Sequence, residues 1–235
     1  MLDSFPAGGL AVVVGARGGI GHALLARLRA DARFERIVGL GRHSDPVLDL
    51  CSEATIADAA QHVAGTGLAL RLLFNAAGFL HGHGIAPEKS WRQLDPAAMA
   101  HAFAINAIGP ALLMKHFLPL LPRDGKSVFA TLSARVGSIG DNGLGGWYSY
   151  RASKAALNQL VRTAAIELKR RQPEAICVAL HPGTVDTALS TPFAKSGLTL
   201  QTPEIAAARL LTAIDSMGGS ASGGFFDQHG EPIPW

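Results

Sequence analysis

Short apolar segments alternate with longer stretches of helical periodicity along this chain. Continuous apolar runs that are rich in β-branched residues are typical of strands buried on both faces of a parallel sheet. The sequence predicts strands at residues 10–14, 36–40, 47–50, 70–74, 127–132, 175–180 and 224–227. Most of these strands are separated by a helix-like stretch, and we therefore predict a single α/β domain over residues 1–235.

A glycine-rich segment connects the first strand to the first helix. It reads Gly15-Ala16-Arg17-Gly18-Gly19-Ile20-Gly21 and leads into a helix-like stretch at 22–30. Glycines at this place allow backbone N–H groups to approach a pyrophosphate at a helix N-terminus, although a purely structural turn remains the alternative. The pattern predicts a Rossmann-like, doubly wound fold, with a seven-stranded, mostly parallel sheet and helices on both faces.

The end of the second predicted strand bears on the choice of nucleotide. An acidic residue there would pair with ribose hydroxyls and repel an added phosphate. The chain instead has Arg42 and Ser44, whose guanidinium and hydroxyl suit a 2′-phosphate. We therefore expect NADP(H) to be favoured over NAD(H), with an ordinary solvated Arg42 as the alternative. Asp49, at the end of the next strand, is expected either to accept from an adenine amino group or to cap the helix that starts near Ser52.

Tyr150 and Lys154 are four residues apart in a stretch with helical periodicity, so they share one helix face. A nearby cation favours a phenolate and lowers the pKa of a phenol. Such a tyrosine can exchange a proton with a carbonyl or alcohol oxygen near neutral pH. The same spacing also occurs by chance on helix surfaces.

Composition and charge limit the kinds of partner and the compartment that we expect for this protein. The net charge is +3, from 21 basic and 18 acidic residues that are scattered along the chain, which does not favour nucleic acid. The N-terminus does not resemble a signal peptide, and we see no uninterrupted apolar run of about 18 residues for a membrane span. Cys51 and Cys177 lack Cys-x-x-Cys spacing, which favours a reducing compartment, so we expect a soluble cytoplasmic protein. His81 and His83 have no ligand-spaced carboxylate or thiol nearby, and we expect no metal site.

Four motifs along the chain follow the order of a known family. They are Gly15-x-x-x-Gly19-Ile20-Gly21, Asn75-Ala76-Ala77-Gly78, Tyr150-x-x-x-Lys154 and Pro182-Gly183-Thr184-Val185-x-Thr187. In these motifs the chain resembles the short-chain dehydrogenase/reductase family over nearly its full length. The stretch 148–154, His181-Pro182-Gly183 and the terminal Trp235 are similar to the C-factor and Sniffer-like branch of carbonyl reductases.

The resemblance implies roles for individual residues. Tyr150 matches the general acid/base, and Lys154 matches the residue that lowers its pKa and holds the nicotinamide ribose. Asn106 matches the asparagine that keeps a kinked helix and a water in the proton relay, and Asn75 matches a residue that stabilises the central strands. The cofactor-binding positions are Gly15, Arg17, Gly19, Ile20, Gly21, Arg42, Ser44, Asp49, Leu50, Asn75, Ala76, Ala77, Gly78, Tyr150, Lys154, Pro182, Gly183, Thr184, Val185 and Thr187. Asp49 and Leu50 match the adenine position, and Thr184 and Thr187 would flank the nicotinamide.

The chain departs from the family pattern at the catalytic serine, where the family commonly has Ser-Ser and this sequence has Ser133-Ala134. Ser133 is expected to take the role, with Ser138 as the second choice, and weak catalysis is expected if neither reaches the substrate. Val14 also replaces the threonine that usually precedes the first glycine.

The combined reading is an NADP(H)-dependent oxidoreductase that reduces a carbonyl or oxidises a secondary alcohol. The alternative is a cofactor-binding signalling or scaffold protein with vestigial catalysis. The segment 188–202 is expected to form a lid over a small-molecule substrate. The family implies a homodimer or homotetramer.

Overall fold

The computed structural model describes residues 2–193 and 200–235. Part of the expected lid, residues 194–199, therefore lies outside the described residues. The helices are α1 (Gly19–Ala30), α2 (Glu53–Gly65), α3 (Pro96–Phe103), α4 (Gly109–Phe117), α5 (Tyr148–Lys169) and α6 (Pro203–Ser216). The strands are β1 (Leu10–Val14), β2 (Arg36–Leu40), β3 (Leu70–Asn75), β4 (Ser127–Leu132), β5 (Ala175–His181) and β6 (Phe225–Asp227).

The described strands form one sheet in the order β2-β1-β3-β4-β5-β6, and every neighbouring pair is parallel. This confirms the predicted Rossmann-like α/β fold. The number of strands was wrong, because the described part of the chain has six strands and not seven.

The predicted strand at 47–50 is absent from the described sheet. Its only ladder contact there is an isolated parallel bridge between Val47 and Gly41. Other groups hold the rest of this segment, since the Asp49 N–H donates to the Thr55 hydroxyl at 3.0 Å. Pro46 cannot donate a ladder hydrogen bond. Leu48 and Leu50 are buried, whereas Val47 is 47% exposed. The strand prediction for 47–50 was therefore wrong.

Helices cover both faces of the sheet, as predicted. Consecutive strand residues point to opposite faces, so Val12 of β1 packs in a core cluster with residues of α2, α4 and α5. Its neighbour Val13 packs in a second cluster with residues of α1 and α6. Both clusters are continuous over several strands, and together they fix the sheet that carries the site.

A π-helical turn, Ala104–Ile108, joins α3 to α4 and carries the buried Asn106. Among the described residues, one helical run, Pro96–Leu120, is long and apolar enough to cross a membrane by length and composition alone. Leu113 and Phe117 of this run are fully buried in the core beside the sheet. Pi turns of this kind occur frequently at functional sites.

Candidate active site

A cavity of about 900 Å³ opens at the edge of the sheet where the strands end. This volume lies within the range of small-molecule and cofactor sites. The carboxyl ends of parallel strands meet at this edge, so segments far apart in sequence converge here. The predicted site residues that line the cavity are Gly15, Arg17, Gly19, Ile20, Arg42, Ser44, Asp49, Leu50, Ala76, Ala77, Gly78, Ser133, Tyr150, Lys154, Pro182 and Thr187.

The glycine turn needs its glycines for two separate reasons. Gly15 has φ +79°, and a Cβ there would lie 2.9 Å from the Ala77 nitrogen. A Cβ on Gly21 would overlap the Gly15 carbonyl oxygen. Gly15 therefore shapes the cavity wall, while Gly21 lets α1 begin directly against the turn.

The start of α1 fits an anionic group. The N-cap residue is Gly18, which has no side chain to cap the helix, and the first turn Gly19-Ile20-Gly21 contains no acidic residue. The first N–H groups of a helix have no intrahelical partner and carry the positive end of the helix dipole. These N–H groups border the cavity through Gly19 and Ile20. The structure therefore provides a cradle for a pyrophosphate.

Arg42, which follows β2, is exposed and also lines the cavity wall. The Ser44 hydroxyl accepts from the Gly41 N–H at 2.9 Å and lies 2.6 Å from the Pro46 carbonyl oxygen, to which it donates. Its proton is therefore used inside the turn, and Ser44 shapes the segment that carries Arg42. Arg42 is the charged member of the predicted pair.

Asp49 lines the cavity beside Leu50. Its carboxylate accepts from the Cys51 N–H at 2.9 Å, outside helix α2, whose N-cap is Ser52. The helix-capping alternative for Asp49 is therefore wrong. The segment between β2 and α2 keeps this carboxylate at the cavity wall.

Tyr150 and Lys154 lie on the same face of α5 and both line the cavity. The Lys154 Nζ lies 5.8 Å from the centre of the Tyr150 ring and donates to the Leu132 carbonyl oxygen at 2.8 Å. The end of β4 thus fixes the lysine next to the phenol. The two side chains are close enough for their charges to interact.

Burial opposes the lowering of the Tyr150 pKa that Lys154 was expected to cause. It raises the pKa of the Tyr150 phenol and lowers the pKa of Lys154 to about 7. Removal of water disfavours the charged form of both groups. Burial therefore favours the protonated phenol of Tyr150 and the neutral amine of Lys154.

Comparison with known proteins agrees with this geometry. A short-chain dehydrogenase model described as enoyl-(acyl carrier protein) reductase matches residues 17–216. A 1-hydroxy-2-glutathionyl-2-methyl-3-butene dehydrogenase from Rhodococcus sp. (strain AD45) is 31% identical over 95% of this chain and 98% of that protein. The chain belongs to the short-chain dehydrogenase/reductase family.

Two further comparisons place the chain within the family. The C-signal protein of Myxococcus xanthus is 40% identical over 60% of this chain and 81% of that protein. The NADPH-bound carbonyl reductase from chicken fatty liver superposes with a TM-score of 0.85 at 26% identity, over 98% of this chain and 95% of that chain. The predicted family, its likeness to the C-factor branch and the oxidoreductase class are confirmed.

Asn106 connects two walls of the short-chain dehydrogenase site. Its side chain accepts from the Phe79 N–H and donates to the Phe79 carbonyl oxygen, both at 2.8 Å. It also donates to the Ser153 hydroxyl at 3.1 Å, and that hydroxyl donates to the Tyr150 carbonyl oxygen at 2.9 Å. The π turn therefore ties the segment after β3 to α5, the helix that carries Tyr150 and Lys154.

Ser133 and Ser138 occupy different places. Ser133 lines the cavity, and its hydroxyl donates to the Asn158 side-chain oxygen at 2.7 Å. Ser138 is buried and accepts from the Asp141 N–H at 3.1 Å, and it is not among the described residues of the cavity wall. Ala134 lacks the second hydroxyl of the family pattern, and of the two candidate serines Ser133 is the one that borders the cavity in the described part of the chain.

Some predicted site residues act behind the wall. In the described part of the chain, the cavity lining does not include Gly21, Asn75, Asn106, Gly183, Thr184 and Val185. Asn75 donates to the Thr131 hydroxyl at 3.0 Å and so joins β3 to β4. Gly183 has φ +78°, and a Cβ there would lie 2.6 Å from the Gln201 side-chain nitrogen. These residues build the edge on which the lining residues stand.

Several lining residues were missed from the sequence. Phe79 and His101 contact each other edge to face at 4.6 Å and line the cavity, as does His83. Asn158 was also missed, although it follows Lys154 by four residues and so shares its helix face. Among residues 2–193 and 200–235, three or more His, Cys, Asp or Glu side chains do not cluster as metal ligands.

Proposed function

We propose that this chain is an NADP(H)-dependent oxidoreductase that reduces a carbonyl or oxidises a secondary alcohol, with Tyr150 as general acid/base. The observation that carries the proposal is that Tyr150 and Lys154 line the same cavity as the uncapped start of α1. A proton-transfer group and an anion cradle thus share one site. The carbonyl reductase that superposes on the chain is NADPH-bound, which supports the same chemistry.

The residues present fit a phosphorylated dinucleotide. The N-terminus of α1 suits the pyrophosphate, and the exposed Arg42 in the cavity wall suits a 2′-phosphate. Asp49 and Leu50 line the same cavity and would border an adenine. On these grounds we favour NADP(H) over NAD(H).

The bound cofactor supplies or accepts the hydride, and the protein handles the proton. In reduction, the protonated Tyr150 phenol donates a proton to the carbonyl oxygen as the alkoxide develops. In oxidation, its phenolate accepts the proton of the alcohol, and a charged Lys154 favours that phenolate. The Leu132 carbonyl oxygen holds the lysine in place. The Ser133 hydroxyl forms the adjacent part of the wall.

We also propose a cytoplasmic homodimer or homotetramer that acts on a small molecule and has neither nucleic-acid nor membrane partners. The mild net charge of +3 and the two free cysteines, Cys51 and Cys177, support this setting. Single-domain organisation over 1–235 belongs to the same proposal.

A second function, cofactor-binding signalling or scaffolding, is favoured by one feature. Ala134 replaces a hydroxyl, and loss of such a donor costs about 100-fold or more in rate. The 40% identity to C-signal agrees with that reading.

One assay separates the two functions. Purified protein is incubated with NADPH and a panel of aldehydes and ketones that includes para-nitrobenzaldehyde, and NADPH loss is compared with alcohol formed. If the chain is the proposed enzyme, the amount of NADPH lost equals the amount of alcohol formed with at least one compound. Tight NADPH binding without turnover on any compound would support the scaffold function.

A further inference from the structure

The catalytic helix starts without a cap of its own. Its N-cap residue is Trp147, which has a left-handed backbone with φ +53° and an indole side chain. An indole nitrogen donates hydrogen bonds but does not accept them. The first N–H groups of α5 therefore need an acceptor from elsewhere in the chain. Tyr150 lies in this first turn, so the same acceptor fixes the position of the phenol.

Glu88 supplies that acceptor from the segment that follows β3. Its carboxylate accepts from both the N–H and the hydroxyl of Ser149, the residue before Tyr150. Its main-chain oxygen accepts from the Trp147 N–H at 2.5 Å. Three donors around the start of α5 are therefore bound by one residue, which is 61 positions away from Ser149 in sequence.

The bonded pair is buried. Glu88 and Ser149 are each only 6% exposed. A buried carboxylate is costly unless hydrogen bonds compensate for the lost water. Two such hydrogen bonds to the Glu88 carboxylate come from Ser149 at the start of α5. A small cavity of about 10 Å³ is lined by Glu88, Ser149 and Tyr150. Glu88 and the proposed catalytic tyrosine thus border the same small cavity.

The other end of the same segment is also fixed. Asn106 holds both main-chain groups of Phe79, and through Ser153 it reaches the carbonyl oxygen of Tyr150. Tyr150 therefore lies between two polar links to one segment, one through Ser153 and one through Ser149. Loss of either link lets the first turn of α5 shift relative to the cavity.

We propose that Glu88 is a positioning residue for Tyr150, acting through Ser149 to hold the start of α5 where the phenol meets the substrate oxygen. This inference rests on the proposed function of Tyr150. Misplacement of a catalytic group by about 1 Å costs up to about 100-fold in rate. Because Glu88 does not line the large cavity in the described part of the chain, its loss should affect turnover more than nucleotide binding.

The test measures kcat, KM for para-nitrobenzaldehyde, the NADPH dissociation constant and Tm. The variants are Glu88→Ala, Glu88→Gln, Ser149→Ala and the double variant Glu88→Ala/Ser149→Ala. Glu174→Ala, an exposed carboxylate just before β5, is the matched control. We expect Glu88→Ala to lower kcat about tenfold or more with NADPH affinity unchanged, and Glu88→Gln to recover part of the loss. The kcat of the double variant should be no lower than that of Glu88→Ala, since the two substitutions remove the same hydrogen-bonded link.

A kcat of Glu88→Ala at the level of Glu174→Ala would overturn the proposal. A fold-loss of NADPH affinity as large as the fold-loss of kcat, together with a lower Tm, would also overturn it, because that result indicates a merely structural role. If Glu88→Ala does not fold, unchanged kcat values for both Glu88→Gln and Ser149→Ala would overturn it instead. Tyr150→Phe is measured alongside: full activity there refutes the proposed function, whereas an inactive Tyr150→Phe with a fully active Glu88→Ala refutes only the role of Glu88.

Discussion

Arg42 follows β2 and lines the cavity with an exposed guanidinium. A charge-assisted hydrogen bond to a phosphate contributes about 1.5 to 3 kcal/mol, which corresponds to about 10- to 150-fold in affinity. We expect Arg42→Ala to raise the NADPH dissociation constant at least about tenfold and to leave that of NADH unchanged. Arg170→Ala, an exposed arginine after α5, is the control. Equal weakening of both nucleotides would refute the assignment of Arg42 to a 2′-phosphate.

Ser133 and Ser138 were both candidates for the missing serine, and geometry separates them. Ser133 lines the cavity, but its proton is shared with Asn158. We therefore expect Ser133→Ala to lower kcat about tenfold, less than the loss of a dedicated oxyanion donor. Ser138→Ala is the matched control and should keep its kcat. A larger loss from Ser138→Ala than from Ser133→Ala would contradict this assignment.

Lys154 gives the ligand-free protein a pH-dependent stability. Its pKa falls from 10.5 to about 7 on folding, so between these values the unfolded chain binds more protons than the folded one. Folding stability therefore rises with pH across this window, by at most about 1.4 kcal/mol per pH unit from this group. Below about pH 7 the cost of burying the charged amine is fully present.

The contribution of Lys154 can be isolated with Lys154→Met, which keeps the apolar stem. Denaturant unfolding at pH 7 and pH 9 should show wild type gaining stability relative to the variant as the pH rises. Lys126, whose pKa is lowered to about 8, changes stability with the same sign, but it is present in both proteins and cancels in the difference. A constant difference between pH 7 and pH 9 would contradict the lowered pKa of Lys154.

At the scale of elements, the π turn between α3 and α4 is the part of the site that sequence reasoning described least. The family resemblance implied a kinked helix at Asn106, and the structure has a π turn there. The resemblance did not show that the side chain binds both main-chain groups of Phe79, since that contact spans 27 positions. Glu88 was missed for the same reason, because its partner Ser149 is distant in sequence.

The Asn106→Ala variant tests how much the π turn contributes to the free energy of unfolding. The change leaves the buried N–H and carbonyl oxygen of Phe79 without their partner, and each such group costs about 1 to 3 kcal/mol. We expect the free energy of unfolding to fall by about 2 to 4 kcal/mol, measured by denaturant titration. Asn142→Ala, in the exposed loop before α5, should change it by less than about 0.5 kcal/mol. A loss no greater than that of Asn142→Ala would show that Asn106 does not hold the segment.

At the scale of the whole molecule, the sheet explains why local apolar patterns predicted most of the strands. Six of the predicted strands form, and in β1, β3, β4 and β5 nearly all residues are buried on both faces, which leaves a continuous apolar signal in the sequence. The segment 47–50 has the same signal but serves the cavity wall through Leu48, Asp49 and Leu50. Apolar periodicity indicates which side chains are buried. It does not indicate which backbone N–H groups form hydrogen bonds within the sheet.

The site was predictable where it consists of local motifs. The glycine turn, Arg42 and the Tyr150-Lys154 pair follow directly from spacing, and the structure brings them to one cavity. The electrostatics were not predictable, because burial of Tyr150 and Lys154 depends on β4 and on segments far along the chain. Sequence spacing indicated a cation that lowers the pKa of the phenol, whereas burial raises it in the ligand-free protein.

The central claim is that Tyr150 transfers the proton while the nucleotide transfers the hydride. The most direct test is single-turnover reduction of para-nitrobenzaldehyde by the NADPH complex of wild type and Tyr150→Phe, with nucleotide affinity measured on the same samples. We predict that Tyr150→Phe binds NADPH as wild type does and reduces the aldehyde at least about 100-fold more slowly. An unchanged single-turnover rate in Tyr150→Phe would contradict the account.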